Sequence, residues 1–236
     1  CSSDLGVAHE VKNPLAILKV GLDFLASQPG RDESGALVIG EMNEAVRRAD
    51  SIISELMLFS HSGKLKLAAA SLPEIIDAAL VPFAKEMAAS KIELVKQFGS
   101  GLPLVQVDAE KVQGVFGCLI KNAIDAMRTT GGALKIRIGI TVLGGPEMAR
   151  TPGSRSLSHS GVRRMAVVTE IDDSGPGIPP DKLGNIFDPF FTTKPTGEGT
   201  GMGLTVSRKV IDLHGGALEI SNRSEGGVCA KVLLKV

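Results

Sequence analysis

Apolar residues at Val11, Leu15, Leu18, Leu22 and Leu25 are separated by steps that alternate four and three. That spacing is the seam of an amphipathic helix made to lie along another helix. A strand cannot present it, because strand faces repeat every second residue. Gln28-Pro29-Gly30-Arg31-Asp32 breaks the pattern as a turn would, and the seam resumes at Ile39, Met42, Val46, Ala49, Ile53 and Leu56. Two such helices joined by a short loop make an antiparallel hairpin. Each carries only a narrow apolar stripe, part of which a lone hairpin leaves wet. A second copy that completes a four-helix bundle would cover it, so the hairpin, residues 1–62, is expected to form a homodimer.

His9 stands off this seam, two residues before Val11, and is expected to face solvent. Asn13 lies four residues on and shares its helix face, and Glu10 is adjacent. Pro14 cannot donate to the carbonyl of Glu10, so the helix is expected to kink or loosen there. A solvated charged face accounts for part of this. An imidazole flanked by a carboxylate and an amide beside a kink is poorly explained by packing alone.

Residues 61–70 are small, basic and polar and read as a linker. Ser71-Leu72-Pro73-Glu74 then supplies an N-cap, a proline just inside the helix and an acid in its first turn. A second domain, 71–236, is expected from there. Its pattern predicts a helix over 72–89, strands over 91–98 and 104–107, a helix over 108–128 and a strand over 133–142. A loop over 143–161 follows, rich in Gly, Pro, Ser and Arg and read as a hairpin insertion, then a strand over 162–172. Beyond a glycine-rich segment come a helix over 203–214 and strands over 217–222 and 227–235. This is an α+β arrangement, a mixed sheet with helices on one face.

Three pieces of the second domain carry chemistry. Asn122, in the apolar run Lys121-Asn122-Ala123-Ile124-Asp125-Ala126, needs a partner for its amide. Its oxygen suits a Mg²⁺ that keeps most of its waters and also binds phosphates, and a capped core Asn fits equally well. Asp173-Ser174-Gly175-Pro176-Gly177-Ile178 follows an apolar strand. Its glycines allow close backbone approach to a flat ligand, and a buried Asp can accept from an exocyclic amine, which favours adenine over guanine. A tight turn with an exposed Asp fits that spacing as well. In the third piece, Phe187-Asp188-Pro189-Phe190-Phe191-Thr192-Thr193-Lys194 precedes Gly199-Thr200-Gly201-Met202-Gly203-Leu204. Alternating glycines that open a helix present N–H groups to phosphate oxygens. Lys194 adds charge, and the phenylalanines are expected to anchor the loop.

In this order and spacing the chain resembles the catalytic core of a two-component sensor histidine kinase. His9-Glu10-Val11-Lys12-Asn13-Pro14-Leu15 resembles the phosphoacceptor box. Asn122 falls in the N box, Asp173 to Gly177 in the first glycine box, Phe187 to Phe191 in the F box and Gly199 to Gly203 in the second glycine box. The Phe-Phe-Thr-Thr-Lys form is similar to the nitrogen-regulation and sporulation branch. The resemblance implies a phosphotransfer hairpin followed by a Bergerat-type α/β sandwich that binds ATP with Mg²⁺. It implies His9 as nucleophile, Glu10 as its orienting base and Asn13 as support for regulator dephosphorylation. Asn122 would be the metal ligand and Asp173, with Gly175 and Gly177, the adenine site. Asp125, Lys194, Gly199, Thr200, Gly201, Met202, Gly203 and Leu204 would complete the nucleotide contacts. The implied partner is the receiver domain of a response regulator, which takes the phosphoryl group on an aspartate. Two departures stand out: Cys118 where the N box often has a further Asn, and Gly226-Gly227-Val228-Cys229-Ala230 in place of the usual Thr and Phe, read as a packing change.

Two other classes compete: a non-kinase ATPase of the same nucleotide fold, and a dimeric regulator-binding phosphatase or scaffold. The phosphoacceptor hairpin argues against the first; Glu10, Asn122 and Asp173 argue against the second. With 26 Lys+Arg against 26 Asp+Glu the net charge is zero, which points away from a nucleic-acid binder. No apolar run approaches the roughly 18 residues of a membrane span, and no signal peptide is evident, so no membrane contact is expected from this segment. Cys1, Cys118 and Cys229 lack metal spacing and read as thiols, the last two buried, in a reducing, cytoplasmic compartment. The opening Cys-Ser-Ser-Asp-Leu, without Met, suggests a piece of a longer chain.

Overall fold

The computed structural model describes residues 3–27, 35, 37–43, 45–46, 49, 65–143, 164–194 and 199–236, with the backbone alone for residues 3–14. The chain divides into two compact units. One comprises residues 1–63 and 185–206, the other residues 64–184 and 207–236.

In the first unit, α1 (Ser3–Ser27) runs unbroken through Pro14. The proline removes one donor, but the loosening expected there does not interrupt the helix. On the seam, Leu22 is buried and Leu15 half-buried, whereas Leu18 is 53% exposed. Ile17, Val20 and Phe24, which lie off the seam, are 73%, 70% and 61% exposed. The apolar surface of α1 is therefore wider than a narrow stripe. Residues 37–43 are also helical, with Leu37, Val38 and Met42 exposed. The turn at 28–32 and the seam positions Ile53 and Leu56 lie outside the described residues.

The second unit is a mixed sheet with a helical layer. β1 (Ala68–Ala70) pairs antiparallel with β3 (Val105–Val107), in register Ala69↔Gln106. The stretch read as linker thus ends in a strand, which three alanines do not advertise because they lack the β-branched signal. α2 (Leu72–Leu80) starts at Ser71, whose backbone is extended but whose hydroxyl makes no capping bond. The single helix expected over 72–89 is split. Pro82 cannot continue the hydrogen-bond ladder, so Val81–Phe83 forms a 3₁₀ turn before α3 (Ala84–Ala89).

α4 (Ala109–Met127) is capped by Asp108, whose carboxylate accepts from the Lys111 N–H. Val112, Phe116, Leu119, Ile120, Ala123, Ile124 and Met127 recur at three- and four-residue steps and are all buried. They pack with Leu72, Ile76 and Leu80 of α2 in the helical layer.

The main sheet has β2 (Ile92–Phe98), β4 (Gly132–Leu143), β5 (Arg164–Asp172), β6 (Ala217–Asn222) and β7 (Val228–Lys235), in the order β2-β4-β5-β7-β6. β2 and β4 are parallel and α4 lies between them in the chain; every other pair is antiparallel. Leu134, Ile136 and Ile138 are buried on one face of β4, and half-buried Lys135 and Arg137 alternate with them. β4 and β5 pair out to Leu143↔Arg164, as a hairpin requires, and their connection lies outside the described residues. α5 (Gly203–Leu213) precedes β6. No helix among the described residues is long and apolar enough to cross a membrane.

Candidate functional site

β5 ends in two adjacent acids that the strand's alternation sends to opposite faces. Both are buried, Asp172 at 3% exposure and Asp173 at 5%. Asp173 enters a turn that its own backbone fastens to β7, its N–H donating to the Val228 carbonyl at 3.0 Å. Its Oδ1 accepts from the N–H groups of Gly175 (2.8 Å) and Val228 (3.2 Å). Among the described residues no donor reaches Oδ2. Burial pushes the Asp173 carboxyl above its ordinary value. The two N–H bonds and the Arg223 guanidinium act against that rise, and Asp172 adds to it.

The turn between β6 and β7 holds this cradle in place. Asn222 clasps the backbone of Ile178, its Oδ1 accepting from the Ile178 N–H at 2.8 Å and its Nδ2 donating to the Ile178 carbonyl at 2.6 Å. Arg223 donates through Nη1 to the Asp173 carbonyl at 2.7 Å and to the Gly226 carbonyl at 3.3 Å. Gly227 sits at φ +82°, and a Cβ there would collide with the Asp173 carbonyl. Only glycine allows this approach. A Cβ at Gly175 would crowd Asp173 Oδ1 and Ala126 at 3.0 and 3.1 Å. Asn222, Arg223, Gly227 and Val228 were not legible as site residues. The segment 226–230, expected to be a packing change, supplies a donor to Asp173 instead. No local pattern marks a hairpin turn as the support of a strand end some fifty residues earlier.

A second cluster surrounds α4. Asn122 is half-buried, and its Nδ2 donates to Cys118 Sγ, one helical turn back, at 3.8 Å. The thiol thus takes the nitrogen end of the amide. The oxygen end is of the hard, neutral kind that a hydrated Mg²⁺ accepts. Among the described residues no group of three or more His, Cys, Asp or Glu is placed to hold a metal ion. Asp125 is paired with Lys121 Nζ at 2.9 Å, and the same ammonium reaches Glu86 of α3 at 2.7 Å. Burial works against the Lys121 charge, but the two carboxylates outweigh it and raise its pKa.

The outer face of the sheet carries a charged ladder. Arg137 bridges Glu170 (2.9 Å) and Asp172 Oδ2 (2.8 Å), and Arg223 Nε approaches the same oxygen at 3.6 Å. Among the described residues, the buried Asp172 Oδ1 has no hydrogen-bond partner. Cys229 of β7 pairs with Asp172 of β5, and burial together with that carboxylate pushes its thiol up to about 12. Cys118 and Cys229 are half-buried free thiols, not fully buried as expected.

In the first unit, residues 185–206 contain the remaining predicted site residues. Phe190 adopts φ +66°, a strained value for a bulky residue. A Cβ at Gly201, itself at φ +68°, would strike the Phe190 backbone. The phenylalanines were expected to anchor this loop, but Phe190 is 59% exposed and Phe187 and Phe191 are half-buried. Ile186 and Met202 are buried instead. The left-handed turn at Phe190 spends its backbone on the Gly201 contact and leaves the ring in solvent. Thr200 Oγ1 accepts from the Met202 N–H at 3.2 Å, and Thr205 donates to the Phe187 carbonyl at 2.9 Å. Lys194 lies with its stem about Gly199, whose Cβ would stand 3.3 Å from Lys194 Cδ. Gly203 and Leu204 open α5. The backbones of His9, Glu10 and Asn13 are in α1, and their side chains lie outside the described residues.

Residues 107–236 match the family model described as histidine kinase-, DNA gyrase B-, and HSP90-like ATPase. The sensor histidine kinase ZraS of Salmonella typhi is 32% identical over 232 residues, which cover 98% of this chain and 44% of that protein. The sensory histidine kinase/phosphatase NtrB of Rhizobium meliloti (strain 1021) is 30% identical over 222 residues, 92% of this chain and 54% of that one. The chain thus spans about half the length of the curated relatives it matches. Among solved structures, histidine kinase ThkA in complex with the response regulator protein TrrA superposes with a TM-score of 0.63 at 24% identity. That match covers 99% of this chain and 61% of the other, and it bears on the fold alone.

Proposed function

Because the chain belongs to the family of histidine kinase-, DNA gyrase B-, and HSP90-like ATPases, we propose that it is a sensor histidine kinase core that phosphorylates its own His9 from Mg-ATP. The phosphoryl group then passes to an aspartate on the receiver domain of a response regulator. The observation that carries this reading is the Asp173 cradle: a buried carboxylate with one oxygen saturated by N–H donors and the other left for a ligand. An acceptor so placed pairs with the exocyclic amine of adenine. Gly175 and Gly177 keep the approach open.

The other roles follow by chemistry and family resemblance. Asn122 would hold Mg²⁺, whose charge offsets that of the phosphates, and Asp125 would steady that part of α4 through Lys121. Lys194 and the glycine-rich run Gly199, Thr200, Gly201, Met202, Gly203 and Leu204 would take the phosphate groups, with α5's first N–H groups as donors. His9 would attack the γ-phosphorus through a ring nitrogen while Glu10 orients the imidazole and helps take its proton. Asn13 would place water for the reverse reaction, a phosphatase role like that named for NtrB.

Residues 1–62 would be the dimerisation and phosphotransfer hairpin and 71–236 the ATP-binding domain. The exposed Ile17, Leu18, Val20 and Phe24 form an apolar surface that a second copy would cover. The response regulator partner rests on family resemblance and on the partner named for ThkA. Free thiols at Cys118 and Cys229 suit a cytoplasmic setting.

The test is transfer of γ-labelled phosphate from Mg-ATP to the purified chain, beside His9→Gln. Acid-labile, alkali-stable label that is lost in the variant supports the reading. ATP hydrolysis indifferent to the variant points to a general ATPase. Binding without labelling points to a phosphatase or scaffold.

A further inference from the structure

We propose that Arg223 is the positioning residue that decides which base the site reads. It takes up the charge of Asp172 and pins the Asp173 backbone, so that Asp173 stays an acceptor for an exocyclic amine. This rests on the nucleotide reading given above.

Two consecutive buried acids repel one another, and a carboxyl relieved of its charge becomes a donor. A protonated Asp173 would suit a carbonyl at the position where adenine carries its amine, and selectivity would reverse. Every charge around Asp173 bears on this choice. β5 contributes Asp172 and Glu170, β4 contributes Arg137, and the β6–β7 turn contributes Arg223 and Glu225. α4 meets the turn through Ala126 and through Met127, whose sulfur accepts from Ser174 Oγ, and neither carries a charge. The Cys229 thiol, pushed up to about 12, stays neutral. Arg137 is already committed to Glu170 and Asp172. Arg223 alone among the described cations touches both acids, Asp172 through Nε at 3.6 Å and the Asp173 carbonyl through Nη1 at 2.7 Å. Its partner Glu225 is 82% exposed on the side chain, so water screens that pair and leaves the guanidinium field directed inward.

The experiment measures ADP and IDP affinity calorimetrically from acid to neutral pH for the full chain and for Arg223→Gln, Arg223→Lys and Asp173→Asn. IDP carries a carbonyl in place of the adenine amine. The nucleotide's own titration is common to all variants and cancels. In the unsubstituted chain, ADP affinity should fall as Asp173 takes up a proton, and Asp173→Asn should remove that dependence. Arg223→Gln should move the midpoint up by about one pH unit and narrow the preference for ADP over IDP roughly tenfold. Arg223→Lys keeps the charge and should leave the midpoint in place. An unmoved midpoint in Arg223→Gln overturns the proposal. If that variant fails to fold, a midpoint displaced in Arg223→Lys overturns it instead. Failure of the unsubstituted chain to bind ADP would remove the nucleotide reading itself, whereas ADP binding with an Arg223-independent midpoint removes only the inference.

Discussion

His214 Nε2 accepts the backbone N–H of Asp108 at 3.0 Å while its Nδ1 lies 2.7 Å from the Val210 carbonyl. These contacts require the tautomer with the proton on Nδ1. The ring thereby ties the end of α5 to the start of α4. Asp108 extends the link, its Oδ2 accepting from the Lys66 N–H at 3.1 Å just before β1. Its bond to Asp108 makes His214 a clasp between two helices. Replacing it by Ala leaves the part-buried Asp108 N–H unpaired. The expected cost is about 1–3 kcal/mol of stability, measurable by urea denaturation, with faster amide exchange at residue 108. Unchanged exchange there would sink the clasp.

Asp108 gives the same region an acid limit. Burial opposes its charge, but bonds from the Lys66 and Lys111 N–H groups, with the Lys111 charge, hold its carboxyl below the ordinary value of 3.8. A carboxyl depressed on folding contributes stability that is present above the unfolded value and lost as pH falls through the folded one. Urea midpoints taken at successively lower pH should therefore drop below about pH 4. The drop should be shallower in Asp108→Asn, which keeps a capping oxygen but cannot titrate.

Gly227→Ala is expected to be the most damaging single change in the cradle. It combines a left-handed backbone at φ +82° with a collision against the Asp173 carbonyl. A loss of roughly 3 kcal/mol together with loss of ADP binding is expected, read by denaturation and calorimetry. An alanine variant with native stability would show that the β6–β7 turn does not brace Asp173.

Asn222→Ala removes both bonds to Ile178 without altering charge. It should cost about 1–2 kcal/mol and weaken ADP binding. The pH midpoint of binding should stay where it is, unlike in Arg223→Gln. A displaced midpoint would mean that loop geometry, and not charge, sets the behaviour of Asp173.

Cys118→Ala withdraws the sulfur that engages the Asn122 amide nitrogen. Under the proposed role of Asn122, more Mg²⁺ should be needed to reach full ATP affinity, while ADP binding in EDTA should be unaffected. Titration of Mg²⁺ at fixed ATP checks this, and an identical requirement in both proteins would dissociate Cys118 from the metal site.

Local pattern alone determined most of the elements. The seam in α1, the three- and four-residue steps of α4 and the alternation of β4 and β5 each reflect a periodicity set within one segment, so neighbouring residues suffice to read them. The break at Pro82 was not read, because a proline does not always end a helix: α1 runs unbroken through Pro14, whereas the helix over 72–89 is split. Asp173 and its glycines could be noticed, but from spacing alone an adenine acceptor and an exposed turn were equivalent. Tertiary structure decided for burial by bringing Asn222, Arg223, Gly227 and Val228 against the end of β5. It likewise set His214 against Asp108, and paired the alanines of β1 with β3. None of these relations has a sequence period, since each joins segments whose meeting depends on how the whole chain packs. A hydrogen bond or a close backbone approach across such a distance exists only once the core has fixed both of its ends.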